Sequence, residues 1–330
     1  MFLFSLICLY LIFYIPTINA QSSFAPNSLT KAEHGILVDD KIIFFDSADF
    51  GIINNTNAFA LDLSVNWTTS TPAFTKIDNI SNGPTFNYAA FSAFETSNRT
   101  LIYAFGGLIP AKVNNWDVGN IVDDFYEINM ASYTISLVQS GSILPKPRCN
   151  ANSIFDDKGN LYIWGGETAT TDQAMYIFDT VNSTWNSILP ATSYVPAQRS
   201  GYSVTFRDNK IYYVGGVFAK SPDRNCVDIR EIIIYDTLNQ NNPWDLKKAT
   251  NNTYISNRYS HAAVLAPNNQ SIILYGGSKS NASGIPDDYL ITLDLRTFEF
   301  SEIIAKNKPS INDNAGWPTP QLLDLGFEGQ

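Results

Sequence analysis

The sequence has few charged residues, few cysteines and almost no histidine. Only 16% of its 330 residues are Asp, Glu, Lys or Arg, and the formal net charge is −10. It has no long basic run, so the chain would repel a nucleic-acid backbone rather than attract it. It is nevertheless 45% hydrophobic and 13% aromatic. That content is enough for a sizeable core and is unlike a disordered chain.

The short motifs of the common enzyme classes are also missing. The sequence contains no G-x-S-x-G, H-E-x-x-H, G-x-x-x-x-G-K-[ST] or G-x-G-x-x-G pattern. Adjacent acids occur at positions 39–40, 123–124, 156–157 and 287–288, and we interpret them as turn or strand-entry residues. The sequence therefore nominates no catalytic residue, no metal ligand and no cofactor site.

Only one long apolar stretch is present, at the start of the chain. Residues 2–15 are uncharged and apolar, and Ala20 precedes Gln21. This pattern predicts a signal peptide over residues 1–20, cleaved after Ala20, although the stretch lacks an early Lys or Arg. The alternative is an uncleaved anchor, but fourteen apolar residues are short for a bilayer span of about 20 residues. We expect a secreted product.

Secretion implies two further expectations. Eight N-x-S/T acceptors would be glycosylation candidates, namely Asn54, Asn66, Asn79, Asn98, Asn182, Asn251, Asn269 and Asn281. Cys149 and Cys226 would remain after cleavage, an even number in an oxidising compartment, and a disulfide is predicted between them. The alternative is two small buried thiols.

A short phrase recurs along the chain, an apolar strand that ends in two glycines. It reads LIYAFGG, LYIWGG, IYYVGG and IILYGG. The glycine pairs are Gly106–Gly107, Gly165–Gly166, Gly215–Gly216 and Gly276–Gly277. The first glycines are 59, 50 and 61 positions apart, and a unit of this length indicates a repeat architecture.

The residues around each phrase repeat as well. A second apolar run precedes it across a turn rich in Asn, Asp and Gly, which predicts a hairpin. A third run ending in Asp or Asn follows, and then a Trp, Phe or Ile that opens a fourth. An earlier unit at residues 34–67 fits the same template with Asp46-Ser47 in place of the glycines. Five four-stranded units are therefore visible.

Such sheets bury both faces by stacking around an axis. The predicted fold is thus an all-β propeller of four-stranded antiparallel blades, with five blades visible over residues 21–307. Residues 308–330 would begin a further blade or supply a closure strand. We interpret the recurring Trp and Phe residues as core between blades.

These units resemble the kelch repeat of the galactose-oxidase and kelch-like superfamily. The resemblance rests on the Gly-Gly strands, on the Trp positions and on an Arg-x-x-His/Tyr opening at Arg199–Tyr202 and Arg258–His261, with Arg148 in the same column. It extends over about residues 34–303. A fold does not carry a function with it, and we expect a secreted or cell-surface, non-catalytic binding scaffold for protein or glycan partners.

A galactose-oxidase-like copper enzyme is the alternative that the resemblance raises. That enzyme requires two imidazoles and two tyrosines, one of them cross-linked to a cysteine, and this chain has only His34 and His261. No Tyr and Cys pair stands out, so the copper ligand set is not found. A second alternative is the ectodomain of a membrane receptor whose membrane segment is missing from this chain.

Strand alternation divides the connections between two faces of the propeller. The turns between first and second and between third and fourth strands share one face, here called the tight-turn face. The loops 108–122, 167–173, 217–229 and 278–287 and the links between blades share the other, the long-loop face. Long loops on a rigid scaffold favour recognition, so we expect the partner there. The candidate binding residues are Trp116, Arg148, Arg199, Arg258 and His261.

Overall fold

The computed structural model describes residues 31–47, 58–67, 72–77, 80, 84, 86–96, 100–108, 121–139, 144–190, 194–219, 223–250, 254–280 and 284–303, without the side chains of 31–34 and 46–47. Over this part of the chain the structure is almost entirely strand, turn and loop. The predicted signal peptide and the predicted segment 308–330 lie outside the described residues.

Five four-stranded antiparallel sheets, the blades, follow one another along the chain. Blade 1 contains β1 (Lys31–Val38), β2 (Lys41–Ser47), β3 (Ala58–Asp62) and β4 (Phe74–Ile77). Blade 2 contains β5 (Ala90–Glu95), β6 (Thr100–Phe105), β7 (Phe125–Asn129) and β8 (Thr134–Leu137). Blade 3 contains β9 (Asn152–Phe155), β10 (Asn160–Trp164), β11 (Met175–Asp179) and β12 (Thr184–Ile188).

Blade 4 carries an additional short pair beside its first strand. It comprises β13 (Arg199–Ser200), β14 (Ser203–Arg207), β15 (Lys210–Val214), β16 (Val217–Phe218), β17 (Glu231–Asp236) and β18 (Trp244–Lys248), with β13 paired to β16. Blade 5 contains β19 (Ala262–Leu265), β20 (Ser271–Tyr275), β21 (Leu290–Asp294) and β22 (Glu299–Glu302).

The blades are arranged as a propeller. The first strands contact each other in chain order, β1 with β5, β5 with β9, β9 with β14 and β14 with β19. Each blade therefore places its first strand innermost and its fourth strand outermost. The predicted fold class is confirmed.

The hairpin turns follow from the residues that the sequence places there. Arg207 pairs with Lys210, which leaves Asp208 and Asn209 as a two-residue turn. Their φ angles of 51° and 58° are those of a type I′ turn, which matches the twist of the strands and favours Asn and Asp. The register of blade 4 is thus fixed locally by its turn residues.

The Asp or Asn that ends each third strand holds the following turn. Its side-chain oxygen accepts a hydrogen bond from a backbone N–H two residues later, as an Asx turn does. These bonds run to Asp62 from Ser64, to Asn129 from Ala131, to Asp179 from Val181, to Asp236 from Leu238 and to Asp294 from Arg296. The hydrogen bonds from Arg296 hold the pKa of Asp294 at about 2.

The core lies between adjacent blades. Trp185 is 6% exposed and packs with Phe105 and Phe125 of the preceding blade, with ring centroids 5.8 Å and 5.0 Å away. Trp244 is 3% exposed and lies 5.0 Å from Trp164 of blade 3. Aromatic pairs at these distances contribute about 0.5–1.5 kcal/mol beyond area burial. The interpretation of the recurring aromatics as inter-blade core is confirmed at these positions.

Candidate functional site: the long-loop face

The glycine pairs end the second strands of blades 2 to 5 at the long-loop face, and three of the pairs bond to the next blade. The second glycine donates its backbone N–H to the arginine carbonyl of the next blade, in three bonds of 2.8–2.9 Å. The bonds are Gly107 to Arg148, Gly166 to Arg199 and Gly216 to Arg258. All of these glycines have positive φ, and a Cβ built on Gly165 would lie 2.7 Å from the Arg199 oxygen. Close backbone approach between blades therefore requires glycine here.

The arginines of this column are internal to the blades. Arg148 is 0% exposed, and its guanidinium donates to Asp172 at 2.6 Å and to the Gly165 carbonyl at 2.9 Å. Arg258 has a similar arrangement: its guanidinium forms an ion pair with Asp288, with nitrogen and oxygen 2.8 Å apart, and donates to the Gly276 carbonyl at 3.3 Å. Each arginine thus joins the link that enters its blade to the strand and loop that follow.

Arg199 is held less tightly. It is 3% exposed, donates to the Glu231 carbonyl at 3.0 Å and lies 3.7 Å from the Glu231 carboxylate. Burial lowers the pKa of Arg199 and of Arg258, against the raising effect of their acidic partners. The three arginines lie at this face, and their burial leaves almost no side-chain surface for a partner to touch.

The acids that pair with the arginines were missed by sequence reasoning. Asp172, Glu231 and Asp288 lie at or just before the third strands, at β11, β17 and β21. The sequence alone identifies the adjacent acids 287–288 only as strand-entry residues. The available signal was the recurrence of an acid at the start of the third strand, or up to three residues before it, in each unit that also carries the arginine.

His261 is buried beside the glycine pair of the preceding blade. It is 5% exposed, and a Cβ on Gly215 would lie 2.7 Å from its Cε1 atom. Burial first and the nearby Arg258 charge second lower the pKa of His261 to about 3. The ring is therefore neutral at physiological pH and fills space at the inner edge of blade 5. His34 lies in β1, where its backbone pairs with Phe45 of β2.

The predicted disulfide is absent from the structure, and this prediction is corrected. Cys149 lies in blade 3, where its backbone pairs with Glu167. Cys226 lies in the second–third loop of blade 4, and its Sγ is 4.0 Å from the Ser278 carbonyl of blade 5. The thiol of Cys226 therefore contacts blade 5, on the far side of blade 4 from Cys149, and both cysteines are free. Burial raises the pKa of Cys226.

The other sequence-predicted residues divide between described and undescribed parts of the chain. Trp116 lies outside the described residues. So do the predicted glycosylation sites Asn54, Asn79, Asn98, Asn251 and Asn281. Asn66, Asn182 and Asn269 are described and exposed on the tight-turn face. Within the described ranges, no three His, Cys, Asp or Glu side chains group as metal ligands would.

A second set of backbone hydrogen bonds links the blades around the axis. The residue two positions after each arginine donates its N–H to the equivalent residue of the preceding blade: Asn150 to Tyr88 at 3.0 Å, Gly201 to Asn150 at 3.0 Å and Ser260 to Gly201 at 2.7 Å. All four residues have φ between 51° and 60°. The inner edge of this face is thus a continuous bonded arc from blade 2 to blade 5.

The described part of the chain contains no helix with the length and apolar character needed to cross a membrane. The described part of the long-loop face is an inner rim bonded from blade to blade, with the second–third loops around it.

Comparisons with known proteins agree with this architecture. A solved structure titled "Structure of YjhT" has the same fold, with a TM-score of 0.57 and 13% identity over 81% of this chain and 82% of that one. A Ras guanine nucleotide exchange factor F from Dictyostelium discoideum is 27% identical over 48% of this chain. Tip elongation aberrant protein 3 from Schizosaccharomyces pombe is 24% identical over 38% of it.

The matches extend over only 13% and 11% of the lengths of these two curated relatives. They therefore compare a repeat region and not whole proteins. The profile of the family described as KLHDC2/KLHL20/DRC7 Kelch-repeats domain matches residues 90–310, about two thirds of the chain. With its glycine pairs, buried arginines and four-stranded blades in register, the chain belongs to this kelch-repeat family.

Proposed function

We propose that the protein is a non-catalytic scaffold that binds another protein at the long-loop face. Kelch propellers generally bind proteins. The observation that supports the proposal here is the bonding of the inner rim. Backbone bonds between successive blades and buried Arg–Asp pairs within blades hold the bases of the loops in fixed positions. A rigid base lowers the entropy lost when loops bind a partner.

The proposal is tested by photo-crosslinking in the cells that produce the protein. A photoreactive amino acid replaces Ala197, which is exposed on the long-loop face, and in a control it replaces Gln240, exposed in the third–fourth turn of blade 4. We expect a discrete crosslinked protein from position 197 and none from position 240. The same products from both positions would contradict the choice of face. Loss of position 197 products after glycosidase treatment would point to a glycan partner instead.

We also propose that the scaffold works outside the cell. The apolar stretch 2–15 and the small residue Ala20 support export. The full chain, expressed with its own N-terminus, is expected in the medium, starting at Gln21, with a mass that a glycosidase lowers. Leu11→Arg interrupts the apolar stretch and should keep the protein inside. An intact Met1 in a retained, unglycosylated wild-type chain would contradict export.

A further inference from the structure

Three links between blades expose a large hydrophobic residue at the same position. Leu144, Val195 and Tyr254 each lie four residues before the buried arginine of the blade that they enter, and they are 44%, 41% and 86% exposed. The residue that follows each of them is buried: Pro145, Pro196 and Ile255. Because the buried neighbour anchors the link, the exposed side chain is held in a defined position at the surface.

A fourth apolar side chain lies beside the link of blade 4. Phe218 is 44% exposed, its backbone pairs with Arg199 in the β13–β16 ladder, and Ala219 donates its N–H to the Gln198 carbonyl at 3.0 Å. Gln198 is three residues after Val195, a chain length of about 10 Å. Phe218 and Val195 therefore belong to the same part of the long-loop face.

The repetition of these residues distinguishes them from ordinary surface hydrophobics. Single exposed apolar residues are normal on soluble proteins. Here one position in the repeat is apolar and exposed in three successive blades, four residues before the arginines whose carbonyls bond to the glycine pairs. Apolar anchors held in place at the surface are what a partner's side chains bind.

An acidic side chain lies next to this set. Glu167 directly follows the Gly165–Gly166 pair, is half-buried, and its Oε1 accepts hydrogen bonds from Asn150 at 3.1 Å and Ser200 at 3.3 Å. Gln198 donates to the Gly166 carbonyl at 2.9 Å, so the carboxylate lies beside the blade 4 link. Among the described residues, Glu167 forms no ion pair within 4.0 Å.

We propose that Leu144, Val195, Phe218 and Tyr254 form a docking surface for a polypeptide segment that places apolar side chains on them and a Lys or Arg on Glu167. This inference rests on the proposed function and specifies the chemistry of its partner. A half-buried carboxylate without a cation favours a basic group over a neutral one. The net charge of −10 also attracts a basic segment at long range.

The test uses a phage-displayed library of random twelve-residue peptides and the purified full chain. We expect the enriched peptides to share a Lys or Arg flanked by apolar residues. Fluorescence anisotropy of the synthetic peptides should show at least tenfold weaker binding to a Leu144→Gln, Val195→Gln, Tyr254→Gln variant. Glu167→Gln should weaken binding about tenfold and remove the preference for the basic residue in a repeated selection.

The matched control changes exposed hydrophobics on the tight-turn face. Val65, Val181 and Leu238 are 49%, 82% and 62% exposed in third–fourth turns, and their triple glutamine variant should bind as the wild type does. Thermal unfolding of both triple variants should match the wild type, since all six positions are exposed.

Equal peptide binding by the wild type and the Leu144→Gln, Val195→Gln, Tyr254→Gln variant would overturn the inference. Selection of the same basic peptides by the wild type and by the Glu167→Gln variant would overturn it as well. Sedimentation velocity would also overturn the inference if the wild type formed concentration-dependent dimers and the triple variant at Leu144, Val195 and Tyr254 did not. The surface would then bind a second copy of the chain. If these results occur while position 197 still crosslinks to a protein, the inference fails and the proposed function stands. If position 197 yields no product, the proposed function fails.

Discussion

Gly165 and Gly276 have the same place in their repeats and nearly the same backbone, with φ of 73° and 68°, but different surroundings. A Cβ at Gly165 would lie 2.7 Å from the Arg199 oxygen and 3.0 Å from the Tyr202 ring, whereas a Cβ at Gly276 would meet no described atom within 4 Å. Comparing alanine substitutions at Gly165 and Gly276 therefore distinguishes the cost of backbone strain, present at both positions, from the cost of a collision between blades, present only at Gly165.

Gly165→Ala should therefore lower the free energy of unfolding more than Gly276→Ala does. Left-handed backbone with a side chain costs about 1 kcal/mol or more in both, and the collision adds about 1–3 kcal/mol at Gly165 alone. Urea unfolding of the two variants measures the difference. Equal losses would mean that the blades separate easily enough to admit a methyl group.

Removing the acid of a buried ion pair should be more damaging than removing the acid of an exposed one. Asp172→Ala leaves the Arg148 guanidinium buried without its carboxylate, and the expected loss is about 3–5 kcal/mol. Asp245→Ala breaks an exposed pair with Lys247 at 3.1 Å and should cost under about 1 kcal/mol. Thermal unfolding of both variants measures the two losses of stability. A loss for Asp172→Ala as small as that for Asp245→Ala would show that water reaches Arg148.

His261 should make stability depend on pH. Its pKa is about 3 in the fold against 6.5 in the unfolded chain, so between these values the unfolded chain binds more protons. Stability should therefore fall as pH decreases from about 6.5 towards 3. His261→Gln should reduce this slope, which unfolding at pH 7, 5.5 and 4 would measure. An unchanged slope would assign the acid sensitivity to carboxylates such as Asp294.

Among the secondary-structure elements, the first hairpin of blade 3 depends on one side chain. Asp156 accepts hydrogen bonds from the backbone N–H groups of Lys158 and Asn160 at 2.9 Å and 2.8 Å. It also accepts from the Asn160 amide at 2.8 Å and the Tyr162 hydroxyl at 3.1 Å. Burial and this carboxylate together raise the pKa of Tyr162.

Asp156→Ala should destabilise the protein by about 2–3 kcal/mol, because it leaves the buried Tyr162 hydroxyl and three part-buried N–H donors without an acceptor. Asp157→Ala is the matched control, since Asp157 is adjacent and exposed, and it should change stability by less than about 0.5 kcal/mol. Equal effects of the two variants in urea unfolding would mean that the turn is held by its backbone alone.

The sequence predicted these hairpins because their signals are local. The alternating apolar residues, the Asp-Asn turn at 208–209 and the Asp or Asn that ends each third strand all act within a few positions of themselves. The side-chain contacts of Arg148 and Cys226 are instead made with groups 24 and 52 residues away along the chain. Spacing within one repeat carries no information on which blade a side chain turns towards, so the disulfide was predicted wrongly and the buried ion pairs were missed.

The exposed hydrophobics of the candidate surface were missed for a related reason. Leu144, Val195 and Tyr254 are visible in the sequence at one repeat position, but their neighbours Pro145, Pro196 and Ile255 are apolar as well. Only the structure shows which of the two is buried. The face and the arginine column could be predicted, whereas the surface available to a partner could not.

At the scale of the whole molecule, the bonded arc around the axis predicts which backbone amides are protected from hydrogen exchange. The N–H groups of Asn150, Gly201 and Ser260 lie outside the long strands, but each bonds to the preceding blade. Hydrogen exchange should therefore find them as protected as the inner strands, because their exchange requires two blades to separate. The amide of Gln240, in an exposed turn, is the control and should exchange fast. Exchange of the arc at the rate of Gln240 would show blades that move independently.

Because the glycine pair of one blade bonds to the arginine segment of the next at three successive junctions, the repeats between these junctions have two unlike edges that fit head to tail. A duplicated repeat would arrive with both edges already matched to its neighbours. The ring could thus lengthen during evolution by tandem gene duplication, without compensating substitutions in the flanking repeats, while insertions in the loops diversify what the outer surface recognises.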